Sequence, residues 1–176
     1  MRTKHENATA FNDRSELAGH KSFVLVGIGG AGMSGVARML CNRGFTVKGT
    51  DLTDSPLIDG LRELQVEVRI GHTAEVVAEG DAVVFSDAIP LDSSPEYQRA
   101  KELGCPVFRR SQCLGWMLEG KKTIAVTGTH GKTTVTGMIA AGLRAAGLDP
   151  TIVVGAEVPE FRRSSSGQRC RSSVDP

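Results

Sequence analysis

Five short runs of β-branched and other apolar residues punctuate the first two thirds of the chain: KSFVLVG (21–27), TVKGTD (46–51), VEVRI (66–70), DAVVFS (81–86) and PVFR (106–109). The segments between them, around 32–43, 56–64, 73–79 and 94–103, carry helical patterns. Strands that are apolar on both faces are covered on both sides, and helical crossovers between them make neighbours parallel. The pattern therefore predicts an α/β domain with a Rossmann-like, mostly parallel sheet over residues 21–119, closing after the helix-like SQCLGWMLEG (111–120). Ahead of it, the polar residues 1–20 read as a flexible lead.

A second βαβ pattern opens with KKTIAVTG (121–128), runs through a helix at about 132–146 and reaches TIVVG (151–155). Val135, Met138, Ile139, Leu143 and Ala146 form the apolar stripe of that helix, and Gly147 is its stop signal. Two strands and one helix leave apolar faces without partners, so residues 120–160 read as an incomplete domain. The last stretch, FRRSSSGQRCRSSVDP (161–176), holds four arginines and five serines with no apolar period and reads as a disordered tail.

Composition narrows the function classes. With 40% hydrophobic and 23% charged residues the chain has an ordinary soluble balance, and its formal charge of +1 comes from bases and acids spread along its length. No electrostatic footprint for nucleic acid or anionic lipid results. The opening lacks an apolar signal region, and no run approaches the roughly 18 apolar residues of a membrane span, which predicts a cytoplasmic protein without a membrane partner. Cys41, Cys105, Cys113 and Cys170 show no C-x-x-C spacing and read as buried or incidental thiols. His5, His20, His72 and His130 are scattered, so no zinc site is expected.

Two glycine-rich turns carry the candidate chemistry. Gly27-Ile28-Gly29-Gly30-Ala31-Gly32 satisfies G-x-G-x-x-G between a strand and a helix, and Asp51 follows 19 residues after Gly32 at the end of the next strand. Glycines let the backbone approach a diphosphate, the helix N-terminus offers N–H groups, and Asp51 suits a ribose hydroxyl. NAD(P), FAD and a UDP-sugar all present these same groups, so an oxidoreductase remains an alternative. The second turn, Thr127-Gly128-Thr129-His130-Gly131-Lys132-Thr133-Thr134, ends in G-K-T but has Val126 where a Walker-type loop has its first glycine. Consecutive backbone N–H groups would still form an anion nest, with Lys132 reaching the β- and γ-phosphates and the Thr133 hydroxyl binding Mg²⁺. The pattern predicts the start of a P-loop α/β ATP-binding domain.

Together GIGGAGMSGVA (27–37) and TGTHGKTT (127–134) resemble the Mur ligases, within them the branch that adds L-alanine to UDP-N-acetylmuramate. FSDAIP (85–90), the SPE of 94–96 and VFRRSQCLGWML (107–118) extend the resemblance over residues 22–160; Asp87 stands where that family more commonly has serine. The resemblance implies that Gly29, Gly30, Ala31, Gly32, Met33 and Ser34, with Asp51 and Ser86, lie beside the UDP diphosphate or sugar. It implies that Gly128, Thr129, His130, Gly131, Lys132, Thr133 and Thr134 surround the ATP triphosphate, Thr133 holding Mg²⁺ and Lys132 acting catalytically on the transferring phosphoryl group. The implied reaction activates the lactyl carboxylate as an acyl phosphate, which the amine of L-alanine captures. It also implies about two further domains, with an acidic metal-binding strand and a histidine region, so this chain alone is expected to bind UDP-sugar weakly without ligating alanine. A non-catalytic nucleotide-binding remnant is the other alternative. The family's Phe-Gly-Gly falls near Phe161-Arg162-Arg163, and one inserted base converts the first coding run into the second, so a frameshift is one origin for the tail, with a deliberate truncation or a partial gene as the alternatives.

Overall fold

The structure is a computed structural model describing residues 11–154, and the chain divides into two compact units, residues 1–119 and 120–176. In the first unit, β1 (Ser22–Val26), β2 (Thr46–Asp51), β3 (Glu67–Ile70), β4 (Ala82–Phe85) and β5 (Val107–Arg109) form one sheet in the order β3-β2-β1-β4-β5. Every pairing is parallel, with Phe23 of β1 opposite Val47 on one side and Ala82 on the other. Helices α1 (Ala31–Asn42), α2 (Pro56–Arg62), α3 (Pro95–Leu103) and α4 (Arg110–Met117) cross between or follow the strands. The sheet is thus the parallel α/β arrangement expected from the apolar runs.

Alternation along β1 explains why its residues are apolar throughout. Phe23 and Leu25 enter a layer with Met33, Val36 and Leu40 of α1 and Met117 of α4, whereas Val24 and Val26 enter the opposite layer with Phe85 and Ala100. Phe23, Phe85 and Phe108 are fully buried, each contributing roughly 2–3 kcal/mol through apolar burial. Phe23, Phe45 and Trp116 pack as a trio with ring centroids 5.2 to 6.0 Å apart, fastening α4 and the turn before β2 to the central strand. Gly49 in β2 has no space for a side chain, because a Cβ would lie 2.3 Å from the Leu25 carbonyl oxygen and 2.9 Å from Ile28.

Several expectations change. The segment 73–79 is not a full crossover helix but a single 3-10 turn, Ala74–Val76, started by the Thr73 hydroxyl accepting from the Glu75 N–H. The lead is not free from residue 12 onward. Asn12 donates its backbone N–H to the Val107 carbonyl, its side-chain oxygen accepts from the Val107 N–H, and Gln112 donates to its carbonyl, each at 2.8 Å. These bonds satisfy the edge of β5, and the 3-10 turn Arg14–Gly19 that follows sinks Leu17 completely into the core. The pattern missed this because one leucine among polar residues shows no period.

In the second unit α5 (Lys132–Ala145) forms as expected, but the strands expected over 121–128 and 151–155 are absent from the described residues. Isolated parallel strands lack a ladder partner, and backbone hydrogen bonding is then left to water. The stripe on α5 is largely uncovered, with Val135 and Met138 exposed, as are Ile124 and Leu148. The expected tail, 161–176, lies outside the described residues.

A buried carboxylate ties the first unit together beneath its glycine turn. Glu96, in the first turn of α3, is fully buried and accepts from Ser94 Oγ (2.6 Å), Thr50 Oγ1 (2.7 Å), His72 Nδ1 (2.8 Å) and the Thr73 N–H (3.2 Å). Burial alone would raise its pKa, but the Ser94 and Thr50 hydroxyls, its own backbone N–H and His72 together outweigh it and hold the carboxyl below its ordinary value. A lowered folded pKa contributes stability above the unfolded value near 4.5, and that stability disappears as pH falls through the folded value. Glu96→Gln keeps the shape but places an NH2 among donors, and should cost about 2 kcal/mol at neutral pH. Thermal melts of both proteins from pH 7 to pH 3 should show the gap narrowing on acidification; a gap independent of pH would contradict the ionised assignment. Limited trypsin digestion should cut rapidly at the exposed Lys121 and Lys122 and leave a persistent core ending there. Equal protection through Lys132 would contradict the difference in burial between the two units.

Candidate functional site

In a parallel sheet with this strand order the chain runs outward from β1 through β2 to β3 and then returns to the other side of β1 as β4, so the crevice at the C-terminal ends of β1 and β4 is a topological switch point. The glycine turn occupies that position. Gly27 has φ +81°, and a Cβ on it would lie 3.0 Å from Ser86 Cβ and 3.4 Å from Ile89, so the turn presses against the end of β4. Gly27 and Ile28 donate their N–H groups to the Thr50 carbonyl at 2.8 and 3.0 Å. Thr50 is the residue whose hydroxyl reaches Glu96, which links the turn to the buried carboxylate through one side chain.

The expected site residues divide by what they do. Gly29 donates its N–H to Asp51 Oδ2 at 2.8 Å, and Asp51 Oδ1 accepts from the Thr53 N–H at 3.2 Å. Asp51 therefore holds the turn in addition to standing at its rim. Gly30 caps α1 in an extended conformation, and no side chain caps that end. Ala31, Gly32 and Met33 begin the helix, so by helix geometry their N–H groups have no intrahelical acceptor, while Ser34 N–H bonds the Gly30 carbonyl at 2.8 Å. The Met33 side chain is in the core, and Ser34 is buried with its hydroxyl donating to the Ala31 carbonyl at 3.1 Å. Those two side chains face inward, which leaves only their backbone for a ligand. Ser86 lies at the β4 end with its hydroxyl accepting from the Ala88 N–H at 3.4 Å.

Two arginines complete this mouth, neither of them among the expected site residues. Arg109 ends β5, its guanidinium 4.3 Å from the Phe11 ring centroid, and Arg110 opens α4. A Cβ on Gly32 would lie 2.9 Å from Arg110 Nη1, so this guanidinium overlies the first turn of α1. Both pair with Asp87, each at 3.4 Å. The doubled arginine directly after a short strand was the available signal. Spacing does not reveal it, because three elements far apart in sequence meet there.

The second turn is built differently. Gly128 has φ +149° and Gly131, capping α5, φ +75°. Lys132 folds back, donating from Nζ to the Gly128 carbonyl at 2.6 Å and the Thr129 carbonyl at 3.2 Å. Thr129, His130, Thr133 and Thr134 are exposed, and Thr136 Oγ1 donates to the Lys132 carbonyl at 2.8 Å. The structure thus gathers Gly128, Thr129 and Lys132 by hydrogen bonds and places Thr133 in the first turn of α5.

The remaining candidate groups are quiet. Cys41, Cys105 and Cys113 are free thiols; burial pushes all three up, Cys113 to about 12, so none is a thiolate at neutral pH. Among the described residues no cluster of His, Cys, Asp and Glu is arranged for a metal, and no helix is long and apolar enough to cross a membrane.

Residues 22–122 match the Mur ligase family, catalytic domain. The chain is 48% identical over 141 residues to a protein named UDP-N-acetylmuramate--L-alanine ligase from Clavibacter michiganensis, covering 80% of this chain and 29% of that one. A protein of the same name from Chlorobaculum tepidum is 44% identical over 151 residues, covering 86% and 32%. The crystal structure of UDP-N-acetylmuramate-alanine ligase from Thermotoga maritima superposes with a TM-score of 0.68 at 34% identity, over 73% of this chain and 30% of that one. UDP-N-acetylmuramate:L-alanyl-gamma-D-glutamyl-meso-diaminopimelate ligase from Neisseria meningitides gives 0.73 at 30% identity, over 81% and 45%. The chain spans about 30% of the length of the curated relatives it matches. With a glycine turn at the switch point of a five-stranded parallel sheet and a family match over 22–122, the chain belongs to the Mur ligase family.

Proposed function

We propose that residues 21–119 bind the UDP portion of UDP-N-acetylmuramate, as part of an ATP-dependent ligase that joins L-alanine to that sugar nucleotide in peptidoglycan precursor synthesis. The observation that carries this is the placement of the Gly27–Gly32 turn at the β1–β4 crevice of a chain 48% identical to a protein of that name. The N–H groups of Ala31 and Gly32 and the Arg110 guanidinium suit a diphosphate, since anions are favoured at a helix N-terminus and beside guanidinium. Asp51 remains at the rim for a ribose hydroxyl, with one carboxylate oxygen on the Gly29 N–H.

The second unit supplies the ATP contacts in this reading. Gly131 and the first turn of α5 offer backbone donors, Lys132 a cation, and Thr133 a hydroxyl of the type that binds Mg²⁺, so the donor set fits a triphosphate. Lys132 already spans its own loop through the Gly128 and Thr129 carbonyls, and moving its ammonium onto a phosphate oxygen exchanges bonds to neutral acceptors for an ion pair with an anionic one. ATP with Mg²⁺ supplies the phosphoryl group that activates the lactyl carboxylate toward the amine of L-alanine. Lys132 would offset charge on that group, the main contribution a protein makes to such a transfer. Positioning to about 1 Å matters for such chemistry, and the loop around Lys132 is exposed with its ammonium turned back onto its own carbonyls, so the 176-residue chain should bind without turning over.

An oxidoreductase uses the first turn but leaves the G-K-T turn without a role. Calorimetric titration of the chain should show UDP-N-acetylmuramate binding, NADH should give no fluorescence response, and phosphate release with ATP, UDP-N-acetylmuramate and L-alanine should stay at background. NADH binding at the turn would overturn the assignment, and phosphate release above background would overturn the statement about turnover.

A further inference from the structure

The mouth of the glycine turn is electrostatically neutral where a diphosphate site is expected to be positive. Arg109 and Arg110 bring two positive charges to it, and Asp51 and Asp87 bring two negative ones. The two carboxylates are not equivalent. Asp51 is engaged by backbone N–H groups at both oxygens, at 2.8 Å from Gly29 and 3.2 Å from Thr53, and so belongs to the turn. Asp87 is exposed, and its two oxygens are divided between the arginines, Oδ1 to Arg109 and Oδ2 to Arg110, at 3.4 Å each. These are long, half-exposed contacts of the kind that contribute little stability and open easily.

Their position gives them another consequence. Arg110 lies between Asp87 on the β4 loop and the first turn of α1, where a Cβ on Gly32 would meet it at 2.9 Å. An anion docked against the N–H groups of α1 therefore shares this guanidinium with Asp87. Arg109 cannot replace it freely, since the Phe11 ring holds its guanidinium at 4.3 Å. We propose that Asp87 is a built-in counter-anion that a nucleotide diphosphate must displace from Arg110 and Arg109, and that it sets the affinity of the switch-point site by occupying those arginines. This rests on the diphosphate assignment made above and adds the residue that weakens it. The carboxylate satisfies the arginines in the empty site, and each binding event exchanges an intramolecular ion pair for an intermolecular one.

The test compares the 176-residue chain with Asp87→Asn and, as a second and smaller replacement, Asp87→Ser, titrating each with UDP and with uridine. Freeing the arginines should tighten UDP binding about 1.5-fold to fivefold, the range of one exposed ion pair, and leave uridine binding unchanged because it carries no phosphate. The gain should shrink at high salt, and Arg110→Gln should weaken UDP binding and abolish most of the gain from Asp87→Asn. Equal melting temperatures for the variants and the parent show that the fold is kept. Unchanged or weaker UDP binding in both Asp87 variants, or an equal gain for uridine, would overturn the counter-anion role while leaving the site assignment standing. Absence of UDP binding to the parent and to every variant would overturn both.

Discussion

Thr50 holds the glycine turn from below and is itself held by a buried charge. Its carbonyl accepts the Gly27 and Ile28 N–H groups, and its hydroxyl donates to Glu96 at 2.7 Å. A carboxylate with no solvent access persists only when its oxygens are saturated, and here the β2 tip, the β3–β4 connection and the start of α3 each supply a donor. The β2 tip, the β3–β4 connection and the start of α3 are thereby fixed to one carboxylate, which reaches the turn through Thr50. The conformation of residues 27–30 follows from packing below the turn, which leaves its upper surface available to a ligand.

The first unit was legible because burial on both faces leaves a strong mark. Phe23, Val24, Leu25 and Val26 all need cover, and only a sheet with helices on both sides provides it. Less visible were features that depend on one residue meeting a distant one. Asn12 closing the β5 edge, Leu17 entering the core and Arg110 reaching Gly32 leave no period in the sequence. The placement of Met33 and Ser34 shows a related limit: the G-x-G-x-x-G spacing locates a backbone, while the direction of each side chain is decided by which face of α1 the sheet covers.

The second unit shows what a local pattern lacks without partners. KKTIAVTG has the composition of a strand and α5 forms after it, yet residues 121–128 make no ladder and Val135 and Met138 stay exposed. Helical hydrogen bonds are internal to α5, whereas strand hydrogen bonds require a neighbour. Lys132 meanwhile satisfies its ammonium on two carbonyls of its own loop. The sequence motif is present, and its supporting sheet is not formed among the described residues.

The central claim is that the amides above Thr50, at the C-terminal ends of β1 and β4, form the nucleotide-binding surface. Titration of ¹⁵N-labelled chain with UDP-N-acetylmuramate, followed by amide chemical shifts, tests it most directly. The account predicts that Gly30, Ala31 and Gly32 shift together with Ser86 and Asp87, all with one apparent affinity, while the opposite ends of the strands at Ser22 and Thr46 stay in place. Shifts confined to those opposite ends, or a glycine turn that does not respond at saturation, would contradict it.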